Sequence, residues 1–488
     1  MDTGRYIKQL AGESAIYGIS GTIRKFIGIF LIPVYTRVFA PGQYGVIALV
    51  DTLTALFTIF VVLGLDNSSA RWFYDTEDTG HRKCTISSWF WCQFAVSSLT
   101  GLILFIFALQ ISLLLFRSVE HAILIRFAAG LIPLLTFAKV VGNWLRYQRR
   151  PWTTTIFFAI HSVGTIGLII LFVVPFRWGL TGVFGAKLLT GGITAIIALA
   201  LLRSWVAPSS FSVARLKPML AYGLPLVPAG IASWIRISSD RLILQMFWEE
   251  TEVGLYAIAA SLSSGVALFT EAFQLAWGPF AYSLLHEEHS GEVYAKVLSV
   301  YAFLGALLGT GISLFSMLLF SVLTTKAYFP ASSCVPFLAY SFILSGALYI
   351  ASLGSGIAKK SMPIAKSIFI AAGANLLLNF ALIPRFGKEG AAIATMISAL
   401  LAVVYLFPVS QKNYYIPYQF GPVLICFGFS WLLIGIERFF LPGNDLWGIA
   451  MRVAMCLLFL PLGVALRIVR IAHIRSLMRI VVLRRKNY

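Results

Sequence analysis

Eight cations sit where this 488-residue chain is otherwise apolar: Arg24, Lys25, Arg126, Lys139, Lys187, Arg236, Arg241 and Arg452. Three acids, Asp51, Asp240 and Glu271, lie equally deep. If those stretches cross a bilayer, each charge costs about 2.5–3.5 kcal/mol at mid-span, so such groups face water or one another. The excess of cations points to an anionic ligand, and a guanidinium fork suits the oxygens of a phosphate or pyrophosphate. Arg24 lies about twelve residues, roughly 18 Å, into its stretch, which is too deep to reach either surface easily. Lys25 is turned about 100° from it and need not share its role. Arg236 holds a comparable mid-stretch place, although Asp240, four residues on, can neutralise it within the helix. Arg241 and Lys187 complete the candidate ligand-binding set. Lys139 and Arg126 lie near the ends of their stretches, where a long side chain snorkels to the headgroups.

Coupling to a proton or sodium gradient needs a group that changes charge, and Asp51, Glu271 and His161 are the candidates because burial moves carboxylate and imidazole pKa values towards neutrality. For His161 the competing reading is a hydrogen bond between packed helices. Catalysis finds less support. The run Gly354-Ser355-Gly356-Ile357-Ala358-Lys359-Lys360-Ser361 lacks the spacing and the preceding strand of a phosphate loop. His286-Glu287-Glu288-His289 is not a zinc-protease motif, no Asp-x-Asp occurs, and the five cysteines are scattered without a CxxC pair. The expectation is a protein with no catalytic residue, no bound metal and no cofactor, and not an enzyme.

The elements that must position these charges follow from composition. Hydrophobic residues make up 59% of the chain, charged residues 12%, and the mean hydropathy is +0.86. A span needs about 20 apolar residues, and fourteen such stretches are recognised, at 12 to 35, 45 to 65, 86 to 116, 120 to 142, 154 to 175, 180 to 202, 219 to 247, 253 to 275, 295 to 323, 333 to 357, 364 to 383, 388 to 408, 420 to 440 and 446 to 466. This predicts an all-α polytopic membrane protein. The first stretch lacks the short apolar core and small-residue cleavage site of a signal peptide, so it is expected to be retained. The net charge of +19 reads as a positive-inside bias, not as nucleic-acid binding. With the N-terminus in the cytoplasm, inside segments hold 23 Lys and Arg and outside segments 7. Both termini are therefore expected in the cytoplasm, with the basic tail from Arg467 lying on anionic headgroups.

Landmarks recur in order. Tyr17-Gly18 matches Tyr222-Gly223, Tyr44 matches Tyr256, Pro151 matches Pro363, Pro175 matches Pro384 and Gly182 matches Gly390, with offsets of 205, 212, 212, 209 and 208. An offset carrying six spans, an even number, makes the copies parallel repeats about an axis along the membrane normal, with a cleft between them for ligand. The predicted organisation is a six-helix lobe over residues 1–203, a second over 204–412, and two further helices with the basic tail over 413–488.

Several stretches also resemble a known family. Ile32-Pro33-Val34-Tyr35-Thr36-Arg37-Val38-Phe39 followed by Gln43-Tyr44-Gly45, then Ala70-Arg71-Trp72-Phe73-Tyr74, then Leu145-Arg146-Tyr147-Gln148-Arg149-Arg150-Pro151-Trp152, resemble the polysaccharide transporter (oligosaccharide flippase) family. In the second copy, Asn375-Leu376-Leu377-Leu378-Asn379-Phe380-Ala381-Leu382-Ile383-Pro384, Gly387 and Gly390-Ala391-Ala392-Ile393-Ala394-Thr395 do the same. The resemblance implies a fold shared with multidrug extruders. It also implies alternating-access transfer of polyprenyl-pyrophosphate-linked oligosaccharides across the bacterial inner membrane for surface polysaccharides such as O-antigen or exopolysaccharide. Carried onto this chain, Arg24, Arg236 and Lys25 would hold the pyrophosphate. The implied partners are a lipid-linked anionic glycan, membrane lipids, a coupling proton or sodium ion and polysaccharide-assembly proteins. An ion-coupled drug or metabolite antiporter is the alternative, although exporters of cationic compounds should have more acids than cations inside. A membrane glycan polymerase ranks below both, for want of a large extramembrane loop.

Overall fold

The computed structural model describes residues 30–440 and 445–468. Residues 30–38 are helical, and eighteen α-helices follow. They are α1 (Pro41–Val62), α2 (Leu65–Tyr74), α3 (Thr79–Ile106), α4 (Ala108–Phe116), α5 (Ala122–Tyr147), α6 (Pro151–Val173), α7 (Gly179–Leu202), α8 (Val213–Gly223) and α9 (Val227–Phe247). Then come α10 (Glu250–Ser283), α11 (Ser290–Leu314), α12 (Ser316–Leu323), α13 (Val335–Ala351), α14 (Leu353–Ile357), α15 (Met362–Asn413), α16 (Phe420–Phe440), α17 (Leu446–Leu457) and α18 (Phe459–Ala465). Among the described residues twelve helical segments are long and apolar enough to cross a membrane. One of these, α15, covers two of the predicted spans, because Gly387 (φ 52°, ψ −130°) breaks its 52 residues into two helices. The first predicted span falls mostly outside the described residues, so the count of fourteen is not established. The segment expected as one helix from 219 to 247 is instead broken: α8 ends at Gly223, and Leu224-Pro225-Leu226 forms a 3-10 turn before α9.

Proline starts many of these helices. Pro41, Pro151, Pro228, Pro336 and Pro363 each occupy one of the first two helical positions, where the missing N–H costs nothing. Asp78, Ser212 and Asp445 cap α3, α8 and α17 through side-chain oxygens. One pair of landmarks takes matching places, as Pro151 and Pro363 open α6 and α15, whereas Tyr44 lies in the first turn of α1 and Tyr256 in the second turn of α10.

The chain forms two compact units. The first comprises residues 1–258 and 375–391. In it α3, α5 and α7 pack in a row, α6 lies on α7, and α1 runs beside α5 and α9. A core of Leu65, Trp89, Trp144, Phe157 and Met219 fills one end. The family-like segments meet there: Tyr147 Oη donates to the Asp66 carbonyl (3.0 Å), Tyr74 Oη donates to the Tyr147 carbonyl (2.9 Å), and Phe73 packs on Tyr147 at 5.4 Å. The outward faces remain apolar, as Leu99, Leu102, Ile103, Phe105 and Ile106 of α3 illustrate, and lipid is the solvent that suits them. Buried threonines satisfy themselves: Thr52, Thr54, Thr136 and Thr190 each donate to the carbonyl four residues back. The second unit, residues 259–374 and 392–488, is built on α11 against α13 and α16, around Tyr301, Tyr340, Ile343 and Phe459.

One crossing in the first unit requires glycine on both helices. A Cβ on Gly45 of α1 would lie 1.9 Å from the Glu250 carbonyl oxygen, and one on Gly254 of α10 would lie 1.8 Å from that of Pro41. The backbones of the two helices touch there, which only hydrogen side chains permit.

Candidate functional site

The midpoint of α1 gathers the charges that the sequence singled out. α1 has 22 residues, and Asp51 and Thr52 lie at its centre, so Asp51 is roughly 15 Å from either end. Lys187 of α7 approaches from one side, its Nζ 2.6 and 2.8 Å from the two Asp51 carboxylate oxygens and 4.8 Å from the Phe184 ring centre. Arg241 of α9 reaches α1 as well, with Nη1 donating to Thr52 Oγ1 at 3.4 Å. Its Nε is buried without a hydrogen-bond partner. A guanidinium with an unspent buried donor is costly unless something else fills that valence, which makes it a place to look for a ligand. The Asp51 side chain is 47% exposed and that of Lys187 18%. Arg236, one turn and a half before Arg241 on α9, is half-buried and already engaged by neighbouring groups. Lys187, Arg236 and Arg241 with Asp51 and Asp240 make three cations and two carboxylates within one unit, of which Lys187 and Asp51 are in contact.

Beside this cluster lies a buried polar group that sequence reasoning did not single out as a site. Asp240 is 1% exposed and accepts a short hydrogen bond from Tyr256 Oη. Ser239 Oγ lies 3.5 Å from Asn375 Oδ1, which also accepts from Asn379 Nδ2 at 3.0 Å. Asn379 Oδ1 is buried with no hydrogen-bond partner. The signal was present as an Asn at i and i+4 on one face of α15, adjacent in space to the acid of α9. Oxygen donors of this kind suit a hard cation or a proton. Among the described residues no group of three or more His, Cys, Asp or Glu could hold a metal ion.

The other predicted residues are dispersed. His161 of α6 hydrogen-bonds through Nδ1 to Thr194 Oγ1 of α7 at 3.2 Å. Glu271 is exposed and belongs to the second unit. Arg24 and Lys25 lie outside the described residues. Two cations outside the candidate set have partners that explain them: Lys139 pairs with Asp66 at 2.5 Å, and Arg126 lies over Phe105 at 5.5 Å. In the second unit Arg452, 1% exposed, is held by Glu437 through Nε (3.0 Å) and Nη2 (2.8 Å).

Twelve segments long and apolar enough to cross a membrane, with charges at the middle of one of them, mark the described residues as a multi-pass membrane protein. The fold is similar to that of the solved structure titled lipid II flippase MurJ, inward closed conformation, with a TM-score of 0.75 and 13% identity, covering 93% of this chain and 99% of that one. It is also similar to an inward-facing multidrug resistance MATE family transporter, with a TM-score of 0.63 and 16% identity over 80% of this chain and 94% of that one. The chain belongs to the polysaccharide biosynthesis protein family, which matches residues 34–333. A relative within reach of sequence comparison is the succinoglycan biosynthesis transport protein ExoT of Rhizobium meliloti, 22% identical over 235 residues. That match takes in 48% of this chain and 45% of the relative, so the chain spans about half the length of that protein.

Proposed function

We propose that the protein is a flippase that carries polyprenyl-pyrophosphate-linked oligosaccharides from the inner to the outer leaflet of the bacterial inner membrane, by alternating access between lobes 1–203 and 204–412. The observation that carries this reading is the charged cluster at the centre of α1. Asp51, 47% exposed, and Lys187, 18% exposed, meet roughly 15 Å from either end of an apolar helix, where pairing offsets part of the cost of each charge and an open side toward water would offset the rest. Arg241 adds a donor whose Nε has no protein partner. A pyrophosphate suits a guanidinium and an ammonium placed this way, and in this reading water reaches them there. Arg241, Arg236, Lys187, Arg24 and Lys25 hold the pyrophosphate in this reading, while the polyprenyl tail stays in the bilayer. No chemistry on the cargo is required, so the protein is not an enzyme.

Asp240, with Asn375 and Asn379, offers a site for a coupling proton or sodium ion, alongside Asp51, Glu271 and His161. The 23 to 7 charge bias supports cytoplasmic termini, and polysaccharide-assembly proteins are the expected partners. The test is transfer of a fluorescent lipid-linked oligosaccharide across proteoliposomes. Wild-type protein transfers it, and an Arg236→Ala/Arg241→Ala variant that folds normally does not. A second variant, Arg24→Ala/Arg236→Ala, tests the N-terminal arginine. The antiporter alternative would be favoured if wild-type protein moved cationic drugs and left the lipid-linked glycan in place.

A further inference from the structure

The first unit contains a cavity of about 670 Å³ at the end of α1 opposite to the cytoplasm on the charge-bias assignment. Four pieces of chain line it and leave it broadly open: the start of α1, the first residue of α10, the α4–α5 turn with its flanking residues, and the α6–α7 turn with the start of α7. Its size falls within the roughly 300–1,000 Å³ of small-molecule sites. Its polar lining is unlike that of the mid-span cluster, with Gln43, Ser118, Glu120, His121, Trp178, Thr181 and Glu250 supplying an amide, two hydroxyls, two carboxylates, an imidazole and one indole among apolar neighbours.

The indole is held for contact. One side of Trp178 packs on Phe172 (4.5 Å between ring centres) and Phe176 (5.5 Å), and Thr181 Oγ1 donates to its carbonyl at 2.6 Å. The residue is nevertheless 53% exposed. The polar groups are positioned too. Gln43 Oε1 accepts from the Ala40 N–H at 3.2 Å, and Glu250 Oε1 accepts from Gln245 Nε2 at 2.9 Å. Tryptophan is common at membrane interfaces as a lipid anchor, but a lipid anchor does not need to line a cavity of hydroxyls, an amide and carboxylates. Two carboxylates repel phosphate, so this cavity is no extension of the pyrophosphate site. An exposed aromatic face ringed by mixed donors and acceptors matches a sugar ring, whose axial C–H groups stack on the indole while its hydroxyls pair with the rim.

We propose that this cavity is a receiving site for a neutral pyranose unit of the glycan on the outer side of the membrane. The inference rests on the glycan-cargo reading above. It adds that the glycan is recognised twice: its pyrophosphate at mid-span and one of its sugars at the exit.

The test is saturation-transfer NMR on the full chain in nanodiscs, with cellobiose and lactose as probes that carry neither lipid nor phosphate. The wild type transfers saturation to the ring protons of at least one probe. Trp178→Ala weakens that binding by about three- to tenfold, the range expected for one lost aromatic contact. Trp178→Phe recovers part of it, and Trp447→Ala, an exposed tryptophan of the second unit, leaves it unchanged. Should Trp178→Ala fail to fold, Glu120→Gln on its exposed turn serves in its place and weakens binding in the same direction. Absence of saturation transfer in the wild type, or equal binding by every cavity variant, overturns the site. Proteoliposome transfer on the same preparations separates the two readings. Flipping without sugar binding defeats the receiving site alone. Sugar binding at Trp178 in a protein that moves no lipid-linked glycan supports the site and defeats the cargo reading.

Discussion

The crossing of α1 and α10 gives a perturbation whose size is set by the backbone. A methyl group on Gly254 would stand 1.8 Å from the Pro41 carbonyl oxygen, whereas ordinary contact begins near 3.4 Å. The helices would have to part by about 1.6 Å, and such overpacking costs roughly 1–3 kcal/mol. If the crossing closes one end of the transport path in one state and opens in another, the penalty falls on the closed state alone. A differential of that size shifts the balance by about 5- to 150-fold. Cysteines report the balance directly. A Cβ on Gly42 would lie 3.4 Å from Thr251 Oγ1, so Gly42→Cys with Thr251→Cys, in a background without the five native cysteines, should crosslink readily under mild oxidant. Oxidation of that pair should stop transport and reduction should restore it. Adding Gly254→Ala should cut the crosslink yield at least fivefold and slow transport. Undiminished crosslinking and transport in Gly254→Ala would refute the reasoning, because the two backbones would then have room that the geometry denies them.

Three further outcomes are expected. Arg241→Ala should lower the apparent affinity for the lipid-linked cargo by about 10- to 150-fold, the worth of a charge-assisted hydrogen bond, with thermal stability little changed; titration of flipping against cargo concentration reads it. Arg452→Met should destabilise the chain by about 3–5 kcal/mol by stranding Glu437, whereas Arg452→Met/Glu437→Gln should regain most of that loss, as followed by thermal unfolding in detergent. Asp78 caps α3 at the water-exposed end, and the hydrogen bond from the His81 backbone N–H holds its carboxyl below the ordinary carboxylate range. A depressed folded pKa gives stabilisation that is present above the unfolded value and lost as pH falls through the folded one. Amide protection in the first turn of α3, taken relative to the intrinsic exchange rate at each pH, should therefore fall on acidification in the wild type, and Asp78→Ala should show low protection at every pH.

Apolar length and loop charge made the fold legible, because a bilayer forces nearly every backbone polar group into helix and leaves the exterior greasy. What they could not convey was interruption. The break at Leu224-Pro225-Leu226 is written in its proline and the Gly387 kink in its glycine, yet both lie in runs whose hydropathy reads as continuous. Of the site, the cations of α7 and α9 were visible as charges in apolar runs, but the partners of Lys187 and Arg241 were not. Asp51 and Lys187 are 136 residues apart, and only tertiary packing brings them within 2.6 Å. Asp240 illustrates the complementary difficulty. Its neighbour at i−4 suggested an intrahelical pair, whereas the carboxylate also accepts from Tyr256, sixteen residues on. The motif around Asn375 and Asn379 pointed to the family, and its side chains meet each other and Ser239, the residue before Asp240 on α9.

Why the cluster is partly paired follows from what a carrier must do when empty. A set of wholly uncompensated cations at mid-span would cost about 2.5–3.5 kcal/mol each with no cargo bound, and the empty carrier has to cross between its states in that condition. A set wholly matched by carboxylates would spend its donors internally and leave nothing for a pyrophosphate. Asp51 resolves part of the conflict by holding Lys187 with both oxygens, at a place open enough for the pair to part. Arg241 resolves the rest, because a 3.4 Å contact with a threonine hydroxyl is a weak hold and its Nε is unspent. In the proposed reading, arriving phosphate oxygens would gain Arg241 without displacing a carboxylate from it, then compete with Asp51 for Lys187. Replacing Asp51 by Asn therefore has two opposed effects, stronger capture of the pyrophosphate and a costlier empty state. Such a variant should bind lipid-linked cargo more tightly yet release it more slowly, so that maximal flipping falls while apparent affinity rises.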